Sequence, residues 1–251
     1  MEDQTTQKPL VSIITVVLDA ADTIEEAMAS VFEQDHRPLE YIVIDGGSSD
    51  GTREKIEQYA DRIDQLIEGP DEGIYDAMNK GIERANGSII GILNADDRFF
   101  PGAVERAVER EQREDAGIIH GAMEIRFPEK GMSRVNHGDP GLLPYKASVH
   151  HPTCFVRQKV YEELGSYDTR YRISADHDFL LRAYLTGIPF AYVEEPQVSY
   201  RYGGASLSCK SDLETFRILR EHGTGHHRKC LIRYLKCLAK RSGKRILGRS
   251  A

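Results

Sequence analysis

The chain has 251 residues, 40% of them hydrophobic and 29% charged, with a formal net charge of −7. It is long enough to bury a large core, ordinary in composition for a soluble protein, and without an apolar run of the roughly 18–20 residues that a membrane-spanning helix needs. The charge is uneven: from residue 222 onward there are nine Lys or Arg and no Asp or Glu, so an acidic body precedes a basic tail, which argues against nucleic acid as the main partner.

The opening segment MEDQTTQKPL has neither a basic n-region nor an apolar h-region, so no secretory signal is read and the cytoplasm is the expected compartment. Cys154, Cys209, Cys230 and Cys237 form no CxxC pair, and reduced thiols are expected there. In chain order, the β-branched run VSIITVVL (11–18) reads as a buried strand. Asp22, with Glu25 three residues on, reads as a capping box opening a helix whose apolar face carries Ile24, Ala27, Met28, Val31 and Phe32. Residues 41–44 form a second strand that stops at Asp45, and GGSSDGT is a turn in which Ser49 or Asp50 caps the next helix. Residues 63–67 read as a third strand, and Ile74, Ala77, Met78, Gly81, Ile82 and Ala85 mark an amphipathic helix stopped at Asn86-Gly87.

A fourth strand, SIIGIL, then ends abruptly at Asn94-Ala95-Asp96-Asp97. Two adjacent carboxylates repel, and such a pair persists where something positive offsets it. A hard divalent cation suits carboxylate oxygens; the alternative is a polar loop whose acids cap the helix opened by Pro101. The β-α alternation of the first 120 residues predicts an α/β fold, with a mainly parallel sheet between helical layers and ligands beyond the carboxyl ends of its strands. Residues 121–150 read as loops and short strands. Helices follow over 157–164 and 176–186, then a strand over 190–193. In the tail, Cys230, Leu231, Tyr234, Leu235 and Leu238 recur at helical spacing among cations. That pattern fits a helix lying on an anionic membrane, and equally a solvated helix or one packed on the acidic body.

Five segments fall in a distinctive order: VSIITVVLDAADTIEEAMASVFEQ, EYIVIDGGSSDGT, GPDEGIYDAMNKGIERANGSIIGILNADD, HHPTCFVRQKVYEELGSYDTRY and ISADHDFLLR. Together they resemble the family 2 glycosyltransferases of GT-A fold, most nearly the bacterial branch that builds cell-surface polysaccharide, over roughly residues 11–208. The resemblance implies a Rossmann-like, mainly parallel central sheet flanked by helices, with a C-terminal helical extension. It divides the chain into a transferase domain, 1–221 (nucleotide side about 9–120, acceptor side about 121–221), and a basic tail, 222–251.

For the site, the resemblance implies that Asp45 contacts the donor's base, with Gly46 standing where many members carry a second Asp. Asn94-Ala95-Asp96 takes the place of the DXD motif, with Asn for the first acid. Asp96 ligates Mn2+ or Mg2+ between the donor phosphates, and Asp97 is a further acid at that metal site, either a ligand through water or a group standing behind the ligands. Asp176 is the general base, with Ala175 in place of the usual Glu before it. Thr15, Asp71, Tyr75, Asn94, Ala95, His151 and Arg201 are the implied donor or acceptor contacts. The implied activity is an inverting, hexosyltransferase-type sugar transfer from a UDP- or GDP-linked donor to a glycan or lipid-linked acceptor. It would take place in the cytoplasm, or peripherally on the inner face of the plasma membrane through the tail. Two other readings compete: a non-catalytic nucleotide-sugar-binding protein, and a nucleotidyltransferase, which the absence of glycine from VSIITVVLDAAD disfavours.

Overall fold

The computed structural model describes residues 8–203 and 208–247, with 240–247 as backbone alone. Strand β1 (Val11–Val17) pairs in parallel with β2 (Leu39–Asp45) on one side and β4 (Ile89–Asn94) on the other, and β3 (Gln65–Glu68) extends the sheet beyond β2. Every residue of β1 is buried, because both faces of the sheet are covered. Alternation along the strand sends Ile14 and Val16 to the cluster containing Met78 and Ile82 of α3 (Ile74–Arg84). Val11, Ile13 and Val17 go to the opposite cluster, with α1 (Ile24–Phe32) and α4 (Ala103–Glu114). Helix α3 rides close on β1: a Cβ at Gly81 would stand 2.5 Å from Cγ2 of Ile14, so only glycine fits there.

The register places Asp45 opposite Val17 and Asn94 opposite Val16. Both polar strand ends therefore emerge at one edge of the parallel half. Beyond β4 the sheet is mixed. Strand β8 (Phe155–Arg157) runs antiparallel to β4 and to β6 (Ile118–Phe127). Strand β6 is parallel to β9 (Phe190–Arg201), while β5 (Arg98–Phe99) and β7 (Met132–Asn136) add antiparallel edges. The parallel character expected from the β-α alternation thus belongs to the order β3-β2-β1-β4. Residues 121–150 hold more strand than their glycines and prolines suggest: β6 continues to Phe127 with Met123 and Ile125 buried, and β7, exposed along most of its length, carries no apolar alternation.

Helix α2 (Thr52–Glu57) follows β2, and α5 (Gln158–Leu164) and α6 (Ala175–Leu185) follow β8. Helices α7 (Cys209–Glu221) and α8 (His227–Leu247) close the described chain. Two local expectations are corrected. Helix α1 starts behind Thr23 with no side-chain cap, so no capping box forms at Asp22. Cys209 and Cys237 are not free thiols but a disulfide joining α7 to α8, while Cys154 and Cys230 are free and buried. Among the described residues no helix is long and apolar enough to cross a membrane.

His120 on β6 is 1% exposed, and its Nδ1 has no partner. Burial and the neighbouring His150 push its pKa down to about 4; burial and His137 do the same for His150. Because the folded values lie below the ordinary value of 6.5, the unfolded chain binds more protons below pH 6.5. Stability is then lost as pH falls from 6.5 towards 4, at roughly 1.4 kcal/mol per pH unit for each histidine at most. Denaturant melts across that range should show the decline, and His120→Phe should make it shallower.

Candidate active site

At the carboxyl end of the parallel half lies a cavity of about 680 Å³, walled by the ends of β1, β4 and β9 and the starts of α3 and α6. Asn94, Ala95 and Asp96 line it from β4. Asp71 and Tyr75 line it from the start of α3, and His151, Asp176 and Arg201 from the later half of the chain. The turn after β2 stiffens one rim. Ser48 Oγ, Thr52 Oγ1 and Asp50 Oδ2 accept in succession from the backbone N–H groups of Asp19, Ala20 and Ala21. The GGSSDGT segment therefore caps the loop after β1 and also opens α2: behind the N-cap Gly51, Asp50 Oδ1 accepts from the backbone N–H of Thr52 at 3.0 Å.

At the end of β4 the two acids differ. Asp96 opens into the cavity, yet the protein enclosing it lifts its pKa, with Arg201 and Arg126 acting in the opposite direction. Asp97 is 1% exposed, and burial, then the charge of Asp96, push it up to about 7. Its Oδ1 accepts from the Arg201 backbone N–H at 3.0 Å and its Oδ2 from Asn94 Nδ2 at 3.2 Å. Asp97 thus lies behind the cavity wall rather than in its lining, each carboxylate oxygen accepting one hydrogen bond within the protein, a place that fits a group supporting Asn94 and Asp96 from behind.

The same bond turns the Asn94 amide so that Oδ1, buried and without a partner, is left as a spare acceptor beside Asp96. An aspartate at 94 would add a third carboxylate against Asp97, which accounts for Asn in the first position of the motif. One carboxylate and one amide oxygen fit a hard cation of the magnesium type, which takes one or two protein oxygens and completes its shell with phosphate and water. In keeping with so sparse a donor set, no cluster of three or more His, Cys, Asp or Glu able to hold a metal occurs among the described residues.

On the α6 side, Asp176 sits in the first turn, where the helix dipole favours a carboxylate. Tyr75 OH lies 2.9 Å from both Asp176 Oδ1 and the carbonyl of Ile173, so one hydroxyl proton is shared between two acceptors. Burial and the Asp176 charge keep that phenol well above its ordinary pKa, and hence a donor. His151 shares a 2.6 Å hydrogen bond with Tyr167 OH, and burial lowers its pKa. Asn79, on α3, pins Tyr167 through both its backbone N–H and its C=O.

Two expected contacts do not reach the cavity. Thr15 is fully buried in β1, where its hydroxyl accepts from Tyr41 OH at 3.0 Å; alternation points it into the core. Asp45 is 3% exposed, and its Oδ1 is taken by the N–H groups of Gly47 and Ser48 and by Ser48 Oγ. Asp71 stands at the cavity in its stead, its carboxylate filling the space that a side chain at Gly46 would need. The replacement of a second acid by Gly46 therefore makes room for Asp71. Sequence reasoning missed Arg172, which lines the cavity and donates to the Glu72 carbonyl. Its only signal is a cation four residues before Asp176.

A family model described as Glycosyl transferase family 2 matches residues 12–165. A PGL/p-HBAD biosynthesis glycosyltransferase of Mycobacterium bovis is 27% identical over 205 residues, covering 79% of each chain. An uncharacterized glycosyltransferase of Mycobacterium tuberculosis is 34% identical over 191 residues, covering 73% of this chain and 72% of its own. In fold, the chain is similar to S. aureus TarS 1–349 in complex with UDP-GlcNAc, with a TM-score of 0.70 at 16% identity over 90% of this chain and 71% of that one. It is likewise similar to the mannosyltransferase PcManGT of Pyrobaculum calidifontis in complex with GDP-Man and Mn2+, with a TM-score of 0.64 at 18% identity over 95% and 76%.

The two acids should separate in a stability measurement. Asp97→Ala strands a buried N–H and an amide and should cost on the order of 1–3 kcal/mol in urea unfolding. Asp96→Ala removes a cavity-facing charge and should change stability by no more than about 0.5 kcal/mol. Equal effects would place both acids in one role.

Proposed function

The chain belongs to glycosyl transferase family 2, and we propose that it transfers a sugar, with inversion, from a UDP- or GDP-linked donor to a hydroxyl of a glycan or lipid-linked acceptor. The observation that carries this reading is that Asp96, at the end of β4, and Asp176, at the start of α6, line one cavity. The nucleotide side is about 9–120 and the acceptor side about 121–221, with 222–251 as a basic tail that the Cys209–Cys237 disulfide ties to α7. The donor class draws on the fold neighbours that hold UDP-GlcNAc and GDP-Man.

In this mechanism Asp71 meets the base, and Arg172 and Arg201 offer guanidinium groups to phosphate. Asp96 and Asn94 Oδ1 would hold Mn2+ or Mg2+, whose charge, when bound, offsets that of the diphosphate. The acceptor O–H gives its proton to Asp176 as its oxygen attacks the anomeric carbon. The bond from that carbon to the diphosphate oxygen breaks on the opposite face, and the nucleoside diphosphate leaves with the electron pair. Tyr75 holds Asp176 in place by its hydroxyl. A panel of UDP- and GDP-sugars with Mn2+ should contain one that raises the melting temperature, since a ligand that binds the folded state stabilises it. Asp176→Asn should keep that rise and lower turnover by about 10²-fold or more, whereas Asp96→Ala should lose the Mn2+-dependent part of the rise. Undiminished turnover in Asp176→Asn would remove it from the role of base.

The tail fits a peripheral contact with the inner face of the plasma membrane. Helix α8 turns Cys230 inward, at 2% exposed, and leaves Ile232, Leu235 and Leu238 at 51%, 55% and 40% exposed, beside the exposed Arg228, Lys229 and Lys236. An apolar stripe flanked by cations suits an anionic bilayer, where a lipid-linked acceptor would reside. Co-sedimentation with phosphatidylglycerol vesicles should fall in Ile232→Glu/Leu235→Glu, with thermal stabilisation by donor unchanged. Equal sedimentation of variant and parent would refute the contact.

A further inference from the structure

Helix α7 lies outside the cavity lining, yet one of its side chains is built into the base's support. Glu214 is buried, and no cation pairs with it among the described ion pairs. Its carboxylate instead accepts three consecutive backbone N–H groups: Arg172 on Oε1 at 3.1 Å, and Ile173 and Ser174 on Oε2 at 2.8 and 3.0 Å. Those three residues lead directly into α6, whose own N-cap, Ser174, makes no side-chain capping bond. Glu214 thus does from another helix what the third residue of a capping box does from within, satisfying the backbone donor of the N-cap. A buried carboxylate with three backbone donors is a strong, directional clamp.

The clamp reaches the reacting end through one further residue. The peptide that it holds includes Ile173, whose carbonyl accepts from Tyr75 OH, and the same hydroxyl contacts Asp176 Oδ1. Moving the Ile173 carbonyl therefore moves the phenol, and the phenol is the one protein donor on that carboxylate oxygen among the described hydrogen bonds. Helix α7 grips the same segment on either side. Tyr171 OH donates to Glu221 Oε2 at 2.7 Å, and His222 Nε2 lies 2.7 Å from Asp178 Oδ1. Two apolar residues of α7, Ile218 and Leu219, are fully buried in the core shared with α6, so the helix is a fixed mount for the carboxylate it carries.

We propose that Glu214 is a positioning residue for the transfer reaction, setting the orientation of Asp176 through the 172–174 peptide and Tyr75. This rests on the reading of Asp176 as the general base. Glu214→Gln keeps the shape but exchanges one acceptor oxygen for an NH2 group that faces backbone donors. In the full-length protein with Mn2+, nucleotide release is followed with the donor that the panel selects, UDP-GlcNAc and GDP-mannose being tried first. Glu214→Gln should lower kcat on the order of ten- to a hundredfold, the range that small misplacements of a catalytic group produce, while KM for donor stays within about twofold. Glu214→Asp, which keeps both oxygens on a shorter stem, should recover part of the loss, and it is read in the same way if the Gln variant does not fold. A kcat within twofold of the parent, or a fall in kcat matched by an equal rise in KM, overturns the proposal and leaves the base assignment standing. Undiminished turnover in Asp176→Asn overturns both.

Discussion

The carboxylate of Asp97 bridges the end of β4, through the amide of Asn94, and the end of β9, through the N–H of Arg201. It is almost wholly buried, and it is the point at which the parallel half of the sheet is fastened to the mixed half at the cavity's edge. Burial of such a group is unfavourable in itself and is offset here by directed hydrogen bonds from both sides. In return the geometry is narrow. Asn94 must present its oxygen to the cavity, Asp96 must turn away from its neighbour's charge, and Arg201 must enter the lip at a defined height.

The two departures from the family's usual acids have the same physical origin. Each stands where another carboxylate would crowd one already in place. Asn94 faces Asp97, and Gly46 faces Asp71. The cavity keeps its oxygen acceptors while limiting the number of adjacent negative charges, which repel strongly wherever solvent is displaced. At the opposite wall the acid is supported by neutral and backbone groups instead: a phenol on its oxygen and a helix N-terminus beneath it.

Much of this was legible in the residues. The β-branched run of β1, the 3.6-residue period of α3 and the abrupt polar stop after β4 predict the parallel half, and motif order identified the family. Thr15, Asp45 and Asp97 show how far such reading reaches. A motif states that an acid or hydroxyl is present, but not whether its oxygens are already spent on neighbouring N–H groups. For Thr15 the period of two decides the matter, since it shares a face with Ile13 and Val17. For Asp45 the competing donors belong to its own turn, Gly47 and Ser48, and are near in sequence; for Asp97 one donor is the nearby Asn94, but the other comes from a strand about a hundred residues away, which only the folded chain brings near. The Cys209–Cys237 bond was hidden for a similar reason. Each cysteine occupies an ordinary position on its own helix, and the pairing follows from how α7 and α8 lie together. The edge strand β7 went unread because it is exposed along nearly its whole length and carries no apolar alternation.

That covalent tie changes what the tail is. A cationic helix joined to the body by a few turns of chain alone would swivel, and whatever it touched would leave the rest of the molecule free to tumble. Fastened to α7 at Cys209, α8 acts as a handle: any surface that grasps it also holds the helix packed in the core behind α6.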